Sequence, residues 1–426
     1  MYGKVTSLIV LSVFCVGLLA SVSAHSQEAA PMLRAAAGKQ DITPKTPVFM
    51  AGYGINRKSI DAHDPLMARC LVLESGKTRI AFVSCDLLGV PRYQIEKIRA
   101  MVKSVTPEHL YISATHTHSG PDSLGQWGPD IQTSGVDQAW MTSFRESVAH
   151  LVDATAAGLK PAAVRFAATK QVPKISKNIR VPRILDTELG VMQVVAATGS
   201  KPIATFVNYA CHPEIMNTHN LSADFPHWLY DTVEGGGGGI CLYLNGAQGG
   251  MVTADFDETT TPKGENWPAA ETIGTSLGKR VLELLEGAPA VQNVPITAAR
   301  RVFEVPLDNP RFKALVALKI FPKSEMKGAN LETEVCRVTI GEAEFLTLPG
   351  EVLPNIGFYL KSLMHGHPKF LLGLTSDELG YILTPEDYGL ELYQYEASVS
   401  VGSQLEPLMV QNLKALMEAG TAKAAR

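Results

Sequence analysis

Leu110-Tyr111-Ile112-Ser113-Ala114-Thr115-His116-Thr117-His118-Ser119-Gly120-Pro121 reads as a short buried strand that runs into a polar, histidine-bearing end. The stretch from Leu110 to Ser113 is strand-like, and Gly120 with Pro121 stops it. Alternate residues of a strand share a face, about 6.5 Å apart, so His116 and His118 are expected to project together. Two imidazoles so placed suit a divalent metal such as zinc, or one ligand plus one acid–base group. A pair of hydrogen-bonded histidines beside a turn is the plainer reading of the same residues.

Strand and helix patterns alternate on both sides of this stretch, so the fold class is α/β. Strands are expected at Thr78 to Cys85, Val191 to Ala196, Ile203 to Tyr209 and Ile240 to Leu244, the middle two paired across Thr198-Gly199-Ser200. Helices are expected at Tyr93 to Val102, Gln138 to Ala157, from about Asp224, and at Ala269 to Leu285. From Ala298 onward the pattern turns more β-like. Strands are read at Arg300 to Val305, Glu334 to Ile340, Glu344 to Leu348 and Lys369 to Leu374, with helices at Pro354 to Leu363 and Gly402 to Met417. Two long loops, Asp122 to Gly135 and Met251 to Trp267, are candidates for function. No repeat and no Pro- or Ser-rich linker divides the chain, so one large layered domain over residues 32–420 is expected, with a polar tail at 421–426.

Composition narrows the functional classes. The chain has 426 residues, 46% of them hydrophobic, and a formal net charge of −4. That balance gives no basic surface for nucleic acid. Lys4, the apolar run Leu8 to Ala20 and the small residues Val22-Ser23-Ala24 form a secretory signal, residues 1–24, with 25–31 as a flexible leader. The run is too short for a comfortable membrane span, so an exported protein, periplasmic or secreted, is expected. Cys70, Cys85, Cys211, Cys241 and Cys336 are scattered and contain no C-x-x-C; most read as small core residues.

Asn208-Tyr209-Ala210-Cys211-His212-Pro213 also ends an apolar strand on a histidine, and strand ends are where α/β enzymes assemble ligand sites. A carboxylate is the natural third ligand. Glu351 is delivered by Leu346-Thr347-Leu348-Pro349-Gly350, although a glutamate there also suits a helix start; Asp86, at the end of its own strand, is the rival. The Gly235 to Gly239 run lacks the Gly-Lys-Ser/Thr ending of a phosphate loop and reads as structural.

Several of these motifs, in this order, resemble the catalytic domain of the neutral/alkaline non-lysosomal ceramidases. The resemblance runs from Gly38-Lys39-Gln40-Asp41-Ile42-Thr43-Pro44 to Gln394-Tyr395-Glu396-Ala397-Ser398. It passes through Met50-Ala51-Gly52-Tyr53, Thr115 to Pro121, Cys211-His212-Pro213, Pro349-Gly350-Glu351 and Gly380-Tyr381-Ile382-Leu383-Thr384-Pro385-Glu386-Asp387-Tyr388. It implies a single zinc ion held by His116, His212, Glu351 and Tyr381. It further implies His118 as an acid–base residue near the bound water, and Tyr395 and Arg180 as groups that stabilise the developing oxyanion. Tyrosine is an uncommon ligand, but a bound dication favours the phenolate. Two departures stand out. Asn245-Gly246-Ala247-Gln248-Gly249-Gly250-Met251 places Gly250 where the family has an active-site serine, and the chain stops at Arg426 where the family adds an immunoglobulin-like domain.

The expected activity is hydrolysis of a linear amide in a small amphipathic N-acyl substrate, N-acylsphingosine or a relative. The expected chemistry runs through a zinc-activated water rather than a serine. An amidohydrolase barrel is the alternative that a His-x-His motif also allows, and a binding protein that kept the fold is another. Oligomeric state is left open.

Overall fold

The computed structural model describes Met1, Gly3 and residues 31–197, 201–257, 265–322 and 326–424. Most of the expected signal segment 1–24, most of the leader and the turn Thr198-Gly199-Ser200 lie outside them.

Strands with apolar residues on both faces must be covered on both faces, and here two sheets cover each other. The larger sheet has eight strands. In spatial order they are Ile240–Asn245, Pro202–Tyr209, Leu189–Ala196, Lys160–Thr169, Leu33–Asp41, Met67–Ser75, Thr78–Cys85 and Leu110–Ala114. Its two outermost pairs are parallel and the rest antiparallel. The smaller sheet orders Ile296–Pro306, Asn330–Ile340, Ala343–Thr347 and Lys369–Leu372, with Met326–Lys327 added at its side. Leu71, Leu73, Phe82, Tyr111 and Phe206 of the first sheet interlock with Cys336, Val338, Ile340, Phe345 and Phe370 of the second. Phe345 and Phe370 stack at 4.3 Å between centroids at the centre of this layer.

Helices close the outer faces. Arg92–Met101 and Gln138–Ala157 pack on one half of the large sheet, and Phe225–Gly235 with Trp267–Leu285 on the other. Pro354–Leu363 and Leu405–Ala424 pack on the small sheet. The result is a four-layer helix–sheet–sheet–helix domain with mixed sheets, of the α/β class that the sequence pattern predicts. Gln138–Ala157 shows why: Asp137 accepts the Trp140 N–H at its start, and Trp140, Met141, Phe144, Val148, Leu151 and Val152 repeat at helical spacing against the core.

Predicted strands and helices reappear within a few residues of their expected bounds. The last helix is longer, reaching Ala424, so the predicted tail at 421–426 begins inside it. The strands Leu33–Asp41, Met67–Ser75 and Lys160–Thr169 were not foreseen; they form the middle of the large sheet. No closed parallel barrel is present among the described residues, which removes the amidohydrolase alternative. No described helix is long and apolar enough to cross a membrane.

Candidate metal centre

Three strand ends meet at one point. Leu110–Ala114 leads to His116, Pro202–Tyr209 leads to His212, and Ala343–Thr347 leads to Glu351. His212 Nε2 lies 2.9 Å and His116 Nε2 3.3 Å from Glu351 Oε2. All three side chains are buried. Each imidazole gives its Nδ1–H to a backbone carbonyl, His116 to Leu88 at 2.7 Å and His212 to Val252 at 2.8 Å. Those bonds select the tautomer and aim Nε2 inward.

His118 completes the group. Its ring centroid is 5.0 Å from that of His116 and 5.8 Å from that of His212. One ligand nitrogen from each of the three histidines falls within 4.8 Å of the others. Neither buried ring nitrogen of His118 has a hydrogen-bond partner. The strand alternation expected for His116 and His118 is not what unites them. The strand ends at Ala114, and His116 adopts φ +74°, its N–H turned back to the Leu87 carbonyl at 2.9 Å.

Tyr381 enters through the backbone. Residues Glu351–Val352 and Tyr381–Ile382 form a two-residue parallel pair in which Glu351 registers with Tyr381. The turn Gln248 to Gly250 presses on the same place: Gly249 donates to the Val352 carbonyl at 2.9 Å, and a Cβ at Gly249 would sit 2.3 Å from the Glu351 carbonyl oxygen. Only glycine permits that approach. Tyr395 packs edge-on to Tyr381 with 6.0 Å between centroids and is half exposed. Arg180 is held by a bidentate pair with the buried Glu396, at 2.7 and 3.1 Å, so its fork is already occupied.

The electrostatics follow from burial and charge. Burial disfavours the Glu351 carboxylate, yet the two imidazoles hold it well below the usual carboxylate range. Burial depresses the His212 ring, but its bond to Glu351 and the charge of Glu214 outweigh that and push it up to about 9. The His118 ring is pushed well below the ordinary imidazole range by burial and by His116 and His212. Burial, then Glu351, raise the Tyr381 phenol well above its usual range.

Asp86, the rival to Glu351, is not at the centre. Its carboxylate accepts the Met67 N–H and the Tyr230 hydroxyl, each at 2.9 Å, and serves to tie the sheet to a helix. Three neighbours were missed by sequence reasoning. Tyr53 packs edge-on to His118 at 5.2 Å and is braced by Trp127 of the long loop, whose Nε1–H reaches the Tyr53 carbonyl at 2.7 Å. Glu214, two residues after His212, brings Oε2 to 3.7 Å from His118 Nδ1. Glu378 is buried near Glu351, its Oε2 without a partner. Position beside His212 could have flagged Glu214; nothing local flags Glu378.

The neutral ceramidase of Pseudomonas aeruginosa is 24% identical over 247 residues, covering 51% of this chain and 36% of that protein. The crystal structure of neutral ceramidase from Pseudomonas aeruginosa superposes with a TM-score of 0.75 at 17% identity, over 92% of this chain and 75% of that one. The chain is thus similar to neutral ceramidase in sequence over half its length and in fold over most of it. A second structure, a ceramidase complexed with C2, gives a TM-score of 0.75 at 16% identity, over 91% of this chain and 76% of that one. The chain thus spans about a third of its curated neutral ceramidase relative, and the structural likeness is one of fold. No family model matches it.

Proposed function

We propose that this chain is an exported, zinc-dependent hydrolase that cleaves the linear amide of N-acylsphingosine or a related N-acyl compound. The observation that carries this reading is the convergence of His116, His212 and Glu351 within 3.3 Å at three strand ends. The relationship to neutral ceramidases supports the amide class, and a relative in complex with C2 supports an N-acyl ligand.

The residues fit a zinc ion. Imidazole nitrogens with one carboxylate are its preferred donors, and the buried, unpartnered ring nitrogens of His118 are what a site built around an additional polar group would leave. His116, His212, Glu351 and Tyr381 would hold the ion. When bound, zinc supplies a Lewis acid that polarises a carbonyl and acidifies water. His118, partly buried, is free to carry a proton to the leaving amine. Tyr395, at the mouth, offers a phenol to the developing oxyanion. Arg180 is fixed by Glu396, which offsets its charge, so its contribution is a positioned guanidinium near Tyr381 and not a free cation. Gly250 has no hydroxyl, so no serine route passes through that position.

Metal analysis of purified protein should give one zinc per chain, and an N-acyl amide panel should be turned over. Activity retained in a His116→Ala, His212→Ala double variant would overturn the assignment. Export rests on the Leu8 to Ala20 run and Val22-Ser23-Ala24; a mature protein whose mass corresponds to cleavage after Ala24 tests it.

A further inference from the structure

His118 differs from the other two imidazoles of the centre in how it is held. His116 and His212 each lock their ring through an Nδ1–H bond to a backbone carbonyl. His118 has no bond at either ring nitrogen; Glu214 Oε2, 3.7 Å from Nδ1, is beyond hydrogen-bond distance. The backbone of His118 is tied, its N–H to the Pro213 carbonyl at 3.0 Å and its carbonyl to Arg57 Nη2 at 3.0 Å. Its ring is oriented by packing, against His116, His212 and the turn Gly52-Tyr53. Gly52, at φ +102°, approaches so closely that a Cβ there would lie 2.6 Å from His118 Cβ and Cγ. The Tyr53 ring meets the His118 ring edge-on, at 5.2 Å between centroids and 69° between planes.

Tyr53 is in turn tethered at three points. Its hydroxyl donates to the Glu214 carbonyl at 2.6 Å, its own carbonyl accepts Trp127 Nε1–H at 2.7 Å, and Arg57 lies 4.8 Å over its ring. Trp127 belongs to a loop wound around one buried carboxylate. Asp122 accepts the N–H groups of Leu124, Gly125 and Trp127 at 3.0, 2.7 and 3.0 Å. A Cβ at Gly135 would fall 2.5 Å from Asp122 Oδ2, so the loop closes tightly on it. Gly128 of the same loop accepts the Asn56 N–H at 2.8 Å, which clamps the far end of the Tyr53 turn.

We propose that Tyr53 is a positioning residue for His118, and that the Asp122–Gly135 loop fixes Tyr53 through Trp127. The inference rests on the amide-hydrolase reading above, in which His118 carries a proton to the leaving amine. A proton donor must lie within hydrogen-bond reach of the atom it serves. An imidazole without a bond of its own keeps such a placement only while its neighbours hold the ring, and a displacement of about 1 Å can cost about 100-fold in rate.

The test uses the zinc-loaded full chain with N-octanoylsphingosine as substrate. Tyr53→Leu removes the ring edge and should lower kcat about 10- to 100-fold, with KM within about threefold of wild type. Tyr53→Phe keeps the ring, loses only the bond to Glu214, and should hold kcat within about threefold. Trp127→Phe loses the Nε1–H and should fall between them. In a His118→Ala background Tyr53→Leu should cost nothing further, because no ring is left to position. Crystal structures of the metal-free proteins give a readout independent of turnover. In Tyr53→Leu the His118 ring should leave its place 5.0 Å from His116 and 5.8 Å from His212, and in Tyr53→Phe it should keep it. Full additivity of Tyr53→Leu with His118→Ala, a rise in KM at unchanged kcat, or an unmoved His118 ring overturns the proposal. Should Tyr53→Leu fail to fold, Trp127→Phe decides by the same cycle and the same structure. If neither this substrate nor a wider N-acyl amide panel is turned over by wild type, the hydrolase reading fails. The metal-free structures then decide alone: a displaced His118 ring supports the positioning role, and an unmoved one overturns it.

Discussion

Metal uptake at this centre must release protons, and their number reports the ligand set. In metal-stripped protein His212 is pushed up to about 9, so at pH 7 it holds a proton between Nε2 and Glu351 Oε2, 2.9 Å away. The rise above the ordinary imidazole value corresponds to about 3 kcal/mol of attraction. A cation bound at Nε2 displaces that proton. Linkage then requires the apparent association constant to climb about tenfold per pH unit up to about pH 9. The Tyr381 phenol, raised well above its usual range, is protonated throughout; binding it as phenolate releases a second proton and doubles the slope. Competition titrations of zinc against a chromophoric chelator from pH 6.5 to 9, corrected for the chelator's own protonation, measure this. The expected slopes of log K against pH are near two in wild type and near one in Tyr381→Phe. Glu351→Gln removes the bond that does most to hold the His212 proton, so its slope falls towards one and its affinity drops about 100-fold. A flat wild-type profile, or wild-type affinity in Glu351→Gln, would refute the reasoning. A slope of one in both wild type and Tyr381→Phe would remove Tyr381 from the ligand set.

Three other outcomes are expected. Glu334 is fully buried and receives Arg99 at 2.7 and 2.9 Å, Arg92 at 3.3 Å, and Arg300. Glu334→Gln leaves those guanidinium groups short of charge and should cost about 3 kcal/mol in urea unfolding; a loss below about 1 kcal/mol contradicts this. Asp224 caps its helix from full burial, which raises its carboxyl to about 7. A raised native value means its stabilising share is complete below about pH 4 and is lost as pH rises to about 7. The stability of wild type relative to Asp224→Asn should therefore fall by about 4 kcal/mol between pH 4 and 8, and a constant difference excludes the effect. Gly250 has φ +69°, and a Cβ there would lie 3.2 Å from Leu353 Cγ. Gly250→Ser should cost about 1 kcal/mol of stability without accelerating amide hydrolysis; a many-fold gain in kcat at unchanged stability would restore the serine route.

What was legible in the chain was local. Periodic apolar residues announced Gln138–Ala157 and Pro354–Leu363 with their observed bounds, and Gly120, Pro213 and Gly350 marked where strands hand over to site residues. His116, His212 and Glu351 were therefore visible as strand-end polar residues before any geometry. Leu33–Asp41 was not visible, because Ala35, Ala36, Ala37 and Gly38 carry little strand propensity; pairing on both sides imposes the conformation. The choice between Glu351 and Asp86 was also closed to sequence reasoning. Both are buried carboxylates at strand ends, and only the Met67 N–H and the Tyr230 hydroxyl, supplied by distant segments, commit Asp86 elsewhere.

The pairing of His116 with His118 carries the sharper lesson about how such a centre is built. Strand alternation predicted the proximity and named the wrong cause. At φ +74° His116 has left the strand, a conformation that costs a non-glycine residue about 1–2 kcal/mol. The compensation is two bonds to one neighbouring segment, its N–H to Leu87 and its Nδ1–H to Leu88. His212 repeats the device with both its N–H and its Nδ1–H directed at the Val252 carbonyl. Glu351 is set by its N–H to Gly380, the residue before Tyr381. Every inward-facing group is thus positioned by a carbonyl from another part of the chain. The strain at His116 is sustained only while the sheets are closed, so folding and assembly of the centre are a single event, and a cation that binds the assembled centre must stabilise the whole domain.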